Sequence, residues 1–313
     1  MYAGFVAILL TLGAAMSAHA ADAPSPNADQ FRRLVPEDAR LEKLAGGFKF
    51  LEGPVWSGAD GGFLIFSDIP ANRLLRWTKK DGVTVYRADS RNANGNTLDL
   101  EGRLITCEHG SRTVTRTEKD GAVVTLADRY EGKRLNSPND CAVWSDGTIW
   151  FTDPPYGLAG RPAEVGGNFV FRLDPAAKTL AVVARDFDMP NGLCFSPDGK
   201  KLYIADSGKP RHIRVFDVAP DGTLSGGKVF CTIDKGVPDG IRCDAEGRVW
   251  SSAGDGVHIY APDGALVGKI PVPESPANLC FGGKDGRTLF ITARTSLYAI
   301  RVAVSGAAIA RRQ

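Results

Sequence analysis

Six times along this chain an oxygen-bearing residue opens a short apolar run, and an acid-glycine turn closes that run seven or eight residues later. Glu52 heads EGPVWSGADGGFLIFSD, Asn94 heads NGNTLDLEGRLITCE, and Asn139 heads NDCAVWSDGTIWFTD. Asn191 heads NGLCFSPDGKKLYIAD, Asp239 heads DGIRCDAEGRVWSSA, and Asn278 heads NLCFGGKDGRTLFITA. Consecutive copies start 39 to 52 residues apart. A period of that size, filled with short strands of alternating aliphatic and aromatic residues, is the signature of propeller blades. Each unit has room for four strands. In the fourth they are LCFSP, KLYIADS, HIRVFDV and GKVFCTI. The repeat therefore predicts an all-β, six-bladed β-propeller over residues 41–305, with four-stranded blades around a central channel and a C-terminal tail at 306–313. The sixth copy is one strand short, and LEKLAGGFKF, ahead of Glu52, is placed to supply it.

The acid-glycine pair has the chemistry of a hairpin turn between the first two strands of each blade. The leading pair has no hairpin to make. It stands where the innermost strand enters the channel, so six-fold repetition aims several side-chain oxygens at one place. Oxygens without thiolate or imidazole partners suit a hard cation. Glu52 and Asp239 would neutralise a divalent ion, and Asn139 and Asn191 would add neutral carbonyl oxygens. Ca2+ fits such a loose shell best, with Mg2+, Mn2+ and Zn2+ as alternatives. Asn94 and Asn278 line the channel without being counted as ligands. His109, directly after the second strand of the second unit, is the histidine placed to reach the propeller face and move a proton. Tyr156, in DPPYGL, would wall a pocket there.

Other features narrow the reading. The formal charge is +2 over 313 residues with no basic cluster, which argues against nucleic acid as a partner. The six cysteines stand singly inside strand-like runs, as buried free thiols would. Residues 1–20 hold an apolar run and end in Ala18-His19-Ala20, an export signal except that no Lys or Arg precedes the run. Residues 21–40 then read as a flexible leader. Such a protein would be periplasmic or secreted, off the membrane once the signal is cleaved. There is no G-x-S-x-G, H-E-x-x-H, P-loop or G-x-G-x-x-G opening a helix, which disfavours serine hydrolases, zincins and nucleotide-dependent enzymes.

The stretches LEGPVW, SDIPANRLLRW, NGNTLDLEGRLITCEHGSRTVTR, LNSPNDCAVWSDGTIWFTDPPYGL, MPNGLCFSPDGKKLYIADSG and VPDGIRCDAEGRVW together resemble the regucalcin/gluconolactonase family, from about residue 42 to 300. CEHGSR and DPPYGL look most like its bacterial gluconolactonase branch. The resemblance implies a six-bladed propeller with a divalent ion, usually calcium, that hydrolyses sugar lactones such as glucono-1,5-lactone to the aldonic acid. It implies metal ligation by Glu52 of EGP, Asn191 of PNG and Asp239 of PDG, and contact with metal or substrate by Asn139 of PND. It assigns proton transfer to Asp239, with His109 as the other candidate. Regucalcin-like members carry a substrate-contacting Arg where this chain has Ser137. Two rival readings share the scaffold: a calcium-dependent phosphotriester or other ester hydrolase, and a non-catalytic propeller that binds sugar or protein.

Overall fold

The computed structural model describes residues 27–308. They form six four-stranded antiparallel sheets arranged as a six-bladed β-propeller, as the repeat predicts. Blade one is built from Leu51–Ser57, Phe63–Asp68, Arg73–Thr78 and Gly82–Arg87, and blade four from Pro190–Phe195, Lys201–Asp206, His212–Val218 and Leu224–Thr232. Blade six takes three strands from the end of the chain, Asn278–Gly282, Thr288–Ala293 and Ser296–Arg301. Its fourth, Glu42–Gly46, comes from the beginning and pairs antiparallel with Ser296–Arg301.

The two recurring pairs have separate jobs. In the acid-glycine turns the glycine sits at positive φ (Gly147 at 86°, Gly199 at 68°), which favours glycine. The acid caps the backbone two residues on: Asp146 accepts from the Thr148 N–H and Asp198 from the Lys200 N–H. Where the turn reads Glu-Gly, an aspartate two residues earlier caps instead, as Asp99 and Asp244 do. The glycine that follows four of the six leading residues serves packing between blades. A Cβ on Gly95 would come within 2.5 Å of the Asn139 carbonyl oxygen, and one on Gly192 within 2.3 Å of that of Asp239. These glycines instead donate backbone hydrogen bonds to those same carbonyls. Inner strands of neighbouring blades thus touch through their backbones.

All six cysteines are buried and free, as expected. Between blades six and one, Leu51, Leu64, Phe66, Phe290 and Leu297 form a shared core cluster. The leader departs from the sequence expectation. Of residues 21–40, those from 27 are described, and Ala28–Leu34 is a helix, not a flexible segment. Phe31 lies against Gly268, Leu34 is buried, and the Leu34 carbonyl accepts from the Ala303 N–H. The apolar pair Phe31 and Leu34, one helical turn apart, provides the face that docks. The tail is likewise attached where described, with Gly306 bridged to Asp244 and the Ala307 N–H on the Cys243 carbonyl. The proposed signal, residues 1–20, lies outside the described residues. Among those described, no helix is long and apolar enough to cross a membrane.

The ring closes at the seam between blades six and one, and Leu297 is fully buried there. Leu297→Ala is expected to cost about 2–5 kcal/mol, read as a lower midpoint in urea unfolding. An unchanged midpoint would show that this seam does not hold the ring.

Candidate active site

At the end of the channel where the inner strands begin, a cavity of about 430 Å³ is lined by Phe50, Glu52, Ile69, Asn94, His109, Asn139, Tyr156, Asn191, Ser207, Val237 and Asp239. Every residue singled out in the sequence as ligand, proton carrier or substrate contact is among them. The leaders are aimed inward partly by irregular pairing. The ladder between the first two strands shifts register just after the leading residue in blade one and across it in blades two and four, and such bulges re-aim side chains.

A second set of acids, ending the second strands, fixes the loops that lead into these strands. Asp68 accepts from the backbone N–H groups of Lys49 and Phe50, Asp153 from that of Asn136, and Asp206 from those of Asp188 and Met189. Each anchors the two or three residues before Glu52, Asn139 or Asn191. The recurrence of FSD, FTD and IAD was visible in the sequence, but its role was not.

The amides form a chain across three blades. Asn94 Nδ2 donates to Asn139 Oδ1 at 2.8 Å, and Asn139 Nδ2 donates to Asn191 Oδ1 at 2.7 Å. Asn191 Nδ2 donates to Ser207 Oγ at 2.9 Å. His109 Nε2 lies 3.1 Å from Asn94 Nδ2. Burial draws the imidazole down to about 4, against the pull of the nearby Asn139 amide, so it is neutral at ordinary pH. Its ring is pressed under Gly157, where a Cβ would come within 2.3 Å of it.

Glu52 is buried, its Oε2 accepting from the Gly53 N–H and from Asn278 Nδ2 at 2.9 Å. Asn278 thus lies behind the cavity and orients Glu52. Burial first, and then the Asp140 carboxylate, push Glu52 up to about 7. Asp239 keeps partial exposure. Its carboxyl is raised well above the usual range by burial, by Glu52 and by Asp140, with the Asn191 amide working the other way. Asp140 replaces the glycine that follows the leader in four other units, and it was not foreseen as a channel acid. It is buried with its own counterion, Arg242 Nη1 at 3.3 Å.

Neither Glu52 nor Asp239 forms an ion pair and no Lys or Arg lines the cavity among the described residues; Arg242 acts on Glu52 only as the weakest influence on its proton. Two interacting carboxylates with neutral amide oxygens beside them fit a hard divalent cation, which would relieve their mutual repulsion. Among the described residues, no three His, Cys, Asp or Glu side chains cluster as a metal site. The fit therefore rests on the two carboxylates together with Asn139 and Asn191.

One wall is a loop over the mouth. Tyr156 starts a short 3-10 turn, Tyr156–Leu158, and is 45% exposed. Its hydroxyl is within hydrogen-bonding reach of Ser207 and Asn191, and burial followed by Asp239 raises it to about 12. Ser137 anchors this loop from below. Its Oγ donates to the Pro154 carbonyl at 2.5 Å and accepts from the Gly157 N–H at 2.9 Å. It is fully buried, so this position presents no side chain to the cavity. Arg161 ties the same loop to the His109 segment through the carbonyls of His109, Gly110 and Gly157. Neither role had a sequence signal, because both depend on residues brought together by blade stacking.

Comparison with known proteins agrees with this architecture. A curated gluconolactonase from Zymomonas mobilis is 33% identical over 85% of this chain and 82% of its own. A 6-deoxy-6-sulfogluconolactonase from Pseudomonas putida is 30% identical over 77% of this chain and 82% of its own. The solved structure of a gluconolactonase from Xanthomonas campestris superimposes with a TM-score of 0.82 at 38% identity, covering 87% of this chain and 92% of that one. The family model described as the SMP-30/gluconolactonase/LRE-like region matches residues 50–295, and the chain belongs to that family.

Proposed function

We propose that this chain is a cation-dependent lactone hydrolase that opens a sugar lactone, such as glucono-1,5-lactone, to its aldonic acid. The lactone-hydrolase assignment follows from its family and from gluconolactonase relatives similar over most of its length. One observation carries the cation part: Glu52 and Asp239 face one cavity whose described lining holds no Lys or Arg.

Glu52, Asn139, Asn191 and Asp239 would hold the ion, Ca2+ by the oxygen character of the set. When bound, a divalent cation polarises the lactone carbonyl and offsets the negative charge that builds on its oxygen as water adds. The chain supplies the rest. Phe50, Ile69, Val237 and the Tyr156 ring offer apolar surface to the carbon face of the sugar, and Asn139 and Tyr156 offer polar contacts to its hydroxyls. Asp239 takes a proton from the attacking water and returns one to the ring oxygen as the ester C–O bond breaks. A carboxylate near a dication is a weak base, so this step needs an Asp239 oxygen that the ion leaves open to water. Asp239 is half-buried and lines the cavity, where water can reach it. His109 is the weaker candidate for this step, because burial lowers its proton affinity and its Nε2 is already engaged by Asn94. We assign it the support of Asn94. The export reading of residues 1–20 places this activity outside the cytoplasm and belongs to the same proposal.

Asp239→Asn is expected to lower kcat on glucono-1,5-lactone about 10²–10⁴-fold, and His109→Ala less than that, in a pH-indicator assay corrected for spontaneous hydrolysis. Wild-type turnover in both variants would overturn the assignment.

Cation binding should also be pH-linked. Without a cation the folded protein holds the Glu52 proton up to about pH 7, against 4.5 for the ordinary carboxyl. The raised value means that this group's contribution to stability is present below about pH 4.5 and is lost as pH rises through about 7. A divalent cation must displace that proton to bind. Adding calcium chloride to chelator-stripped protein is therefore expected to raise Tm more at pH 8 than at pH 5. Equal increments at both would count against Glu52 as a ligand.

A further inference from the structure

An amide can present either its oxygen or its NH2 group, so a site built on asparagines needs something to choose between them. Here the choice is traceable. Ser207 Oγ lies 2.5 Å from the Pro238 carbonyl oxygen, and a carbonyl can only accept. The Ser207 hydroxyl hydrogen is therefore committed to Pro238, which leaves an Oγ lone pair facing Asn191. The Asn191 NH2 must take that side, at 2.9 Å, and its oxygen faces Asn139. The same reasoning then turns the Asn139 NH2 toward Asn191 and its oxygen toward Asn94, whose Nδ2 donates to it. One hydroxyl on a backbone carbonyl sets the direction of the whole row.

Ser207 is also a junction between blades. It follows the second strand of blade four and holds Asn191 of that blade. Through Pro238 it grips the residue just before Asp239 of blade five, and the Tyr156 hydroxyl of the mouth loop reaches it as well. It contacts no charged group in these bonds and is only partly buried, so its removal opens no core cavity.

We infer that Ser207 is a positioning residue that sets cation affinity by holding the Asn191 and Asn139 amides with their oxygens correctly turned and by fixing Asn191 relative to Asp239. This rests on the cation reading above. Without the hydroxyl, Asn191 loses one of the two acceptors that pin its NH2, the Asp239 carboxylate being the other, and is freer to rotate. A rotated amide presents hydrogens, not oxygen, toward Asn139 and breaks the row.

The test is calorimetric titration of chelator-stripped full-length protein with calcium chloride, for wild type, Ser207→Ala and Ser207→Thr. Thermal melts of the stripped proteins run alongside. Ser207→Ala is expected to weaken calcium binding about 10–100-fold, the usual cost of removing a partner that orients a ligand. Its melting temperature without calcium should stay close to wild type. Ser207→Thr, which keeps the hydroxyl, should bind within a few-fold of wild type, as in the usual hydroxyl-conserving exchange. If wild type binds calcium and Ser207→Ala binds it equally well, or if both variants weaken alike, the role of Ser207 is refuted while the cation reading stands. If wild type binds no calcium, both fall together.

Discussion

Backbone contact between neighbouring inner strands governs this molecule. At Gly95, Gly192 and Gly240 the chain passes so close to the next blade that a methyl group would overlap a carbonyl oxygen or a side chain. Two of these glycines donate to the carbonyl of the next blade's leading residue, and Gly240 donates to that of Ala277, just before Asn278. The contact draws the ring tight enough for side chains from different blades to meet. A glycine here has no side chain to pack, and it is kept for the approach it permits. Blade six has Leu279 at that position, and blade three has Asp140. Its carboxylate goes into the channel and requires Arg242 to balance it.

That convergence produces an electrostatic contrast within a few residues. Asp140 is compensated by a guanidinium, whereas Glu52 and Asp239 are left facing one another beside neutral amides. Burying like charges together is unfavourable unless a proton or a cation intervenes. Burial first, and then neighbouring carboxylates (Asp140 for Glu52, Glu52 and Asp140 for Asp239), raise both carboxyls. The stability given up there is of the kind that binding sites, rather than scaffolds, carry.

Much of this was readable from residue order because it is periodic. Six leaders and six turns, separated by similar distances, specify blades, and the oxygen carried by each leader specifies what meets at the hub. Even the closing strand before Glu52 was legible, since the sixth unit lacked one. What escaped was non-periodic. Ser207 and Pro238, or Arg161 and His109, have nothing in their local sequence to mark them as partners. Their bonds exist because adjacent blades, or a loop and a strand end, face each other at a fixed offset. Ser137 shows the same limit from the other side. It occupies a position where relatives resembling regucalcin place an arginine, yet here it is spent on the Pro154 and Gly157 backbone. The helix Ala28–Leu34 was obscured by the polar, proline-containing residues ahead of it, although Phe31 and Leu34 carried the docking face.

Closing blade six with Glu42–Gly46 has a cost in time as well as a benefit in strength. That strand leaves the ribosome first among the described strands, and its partner Ser296–Arg301 leaves last. Until the two meet, the growing chain carries an unpaired edge at each end of an open arc, the kind of surface on which strands of other molecules add. The ring therefore gains its last ladder only when synthesis is nearly over. A cell that makes this protein must keep both free edges apart from strangers for almost the entire length of translation.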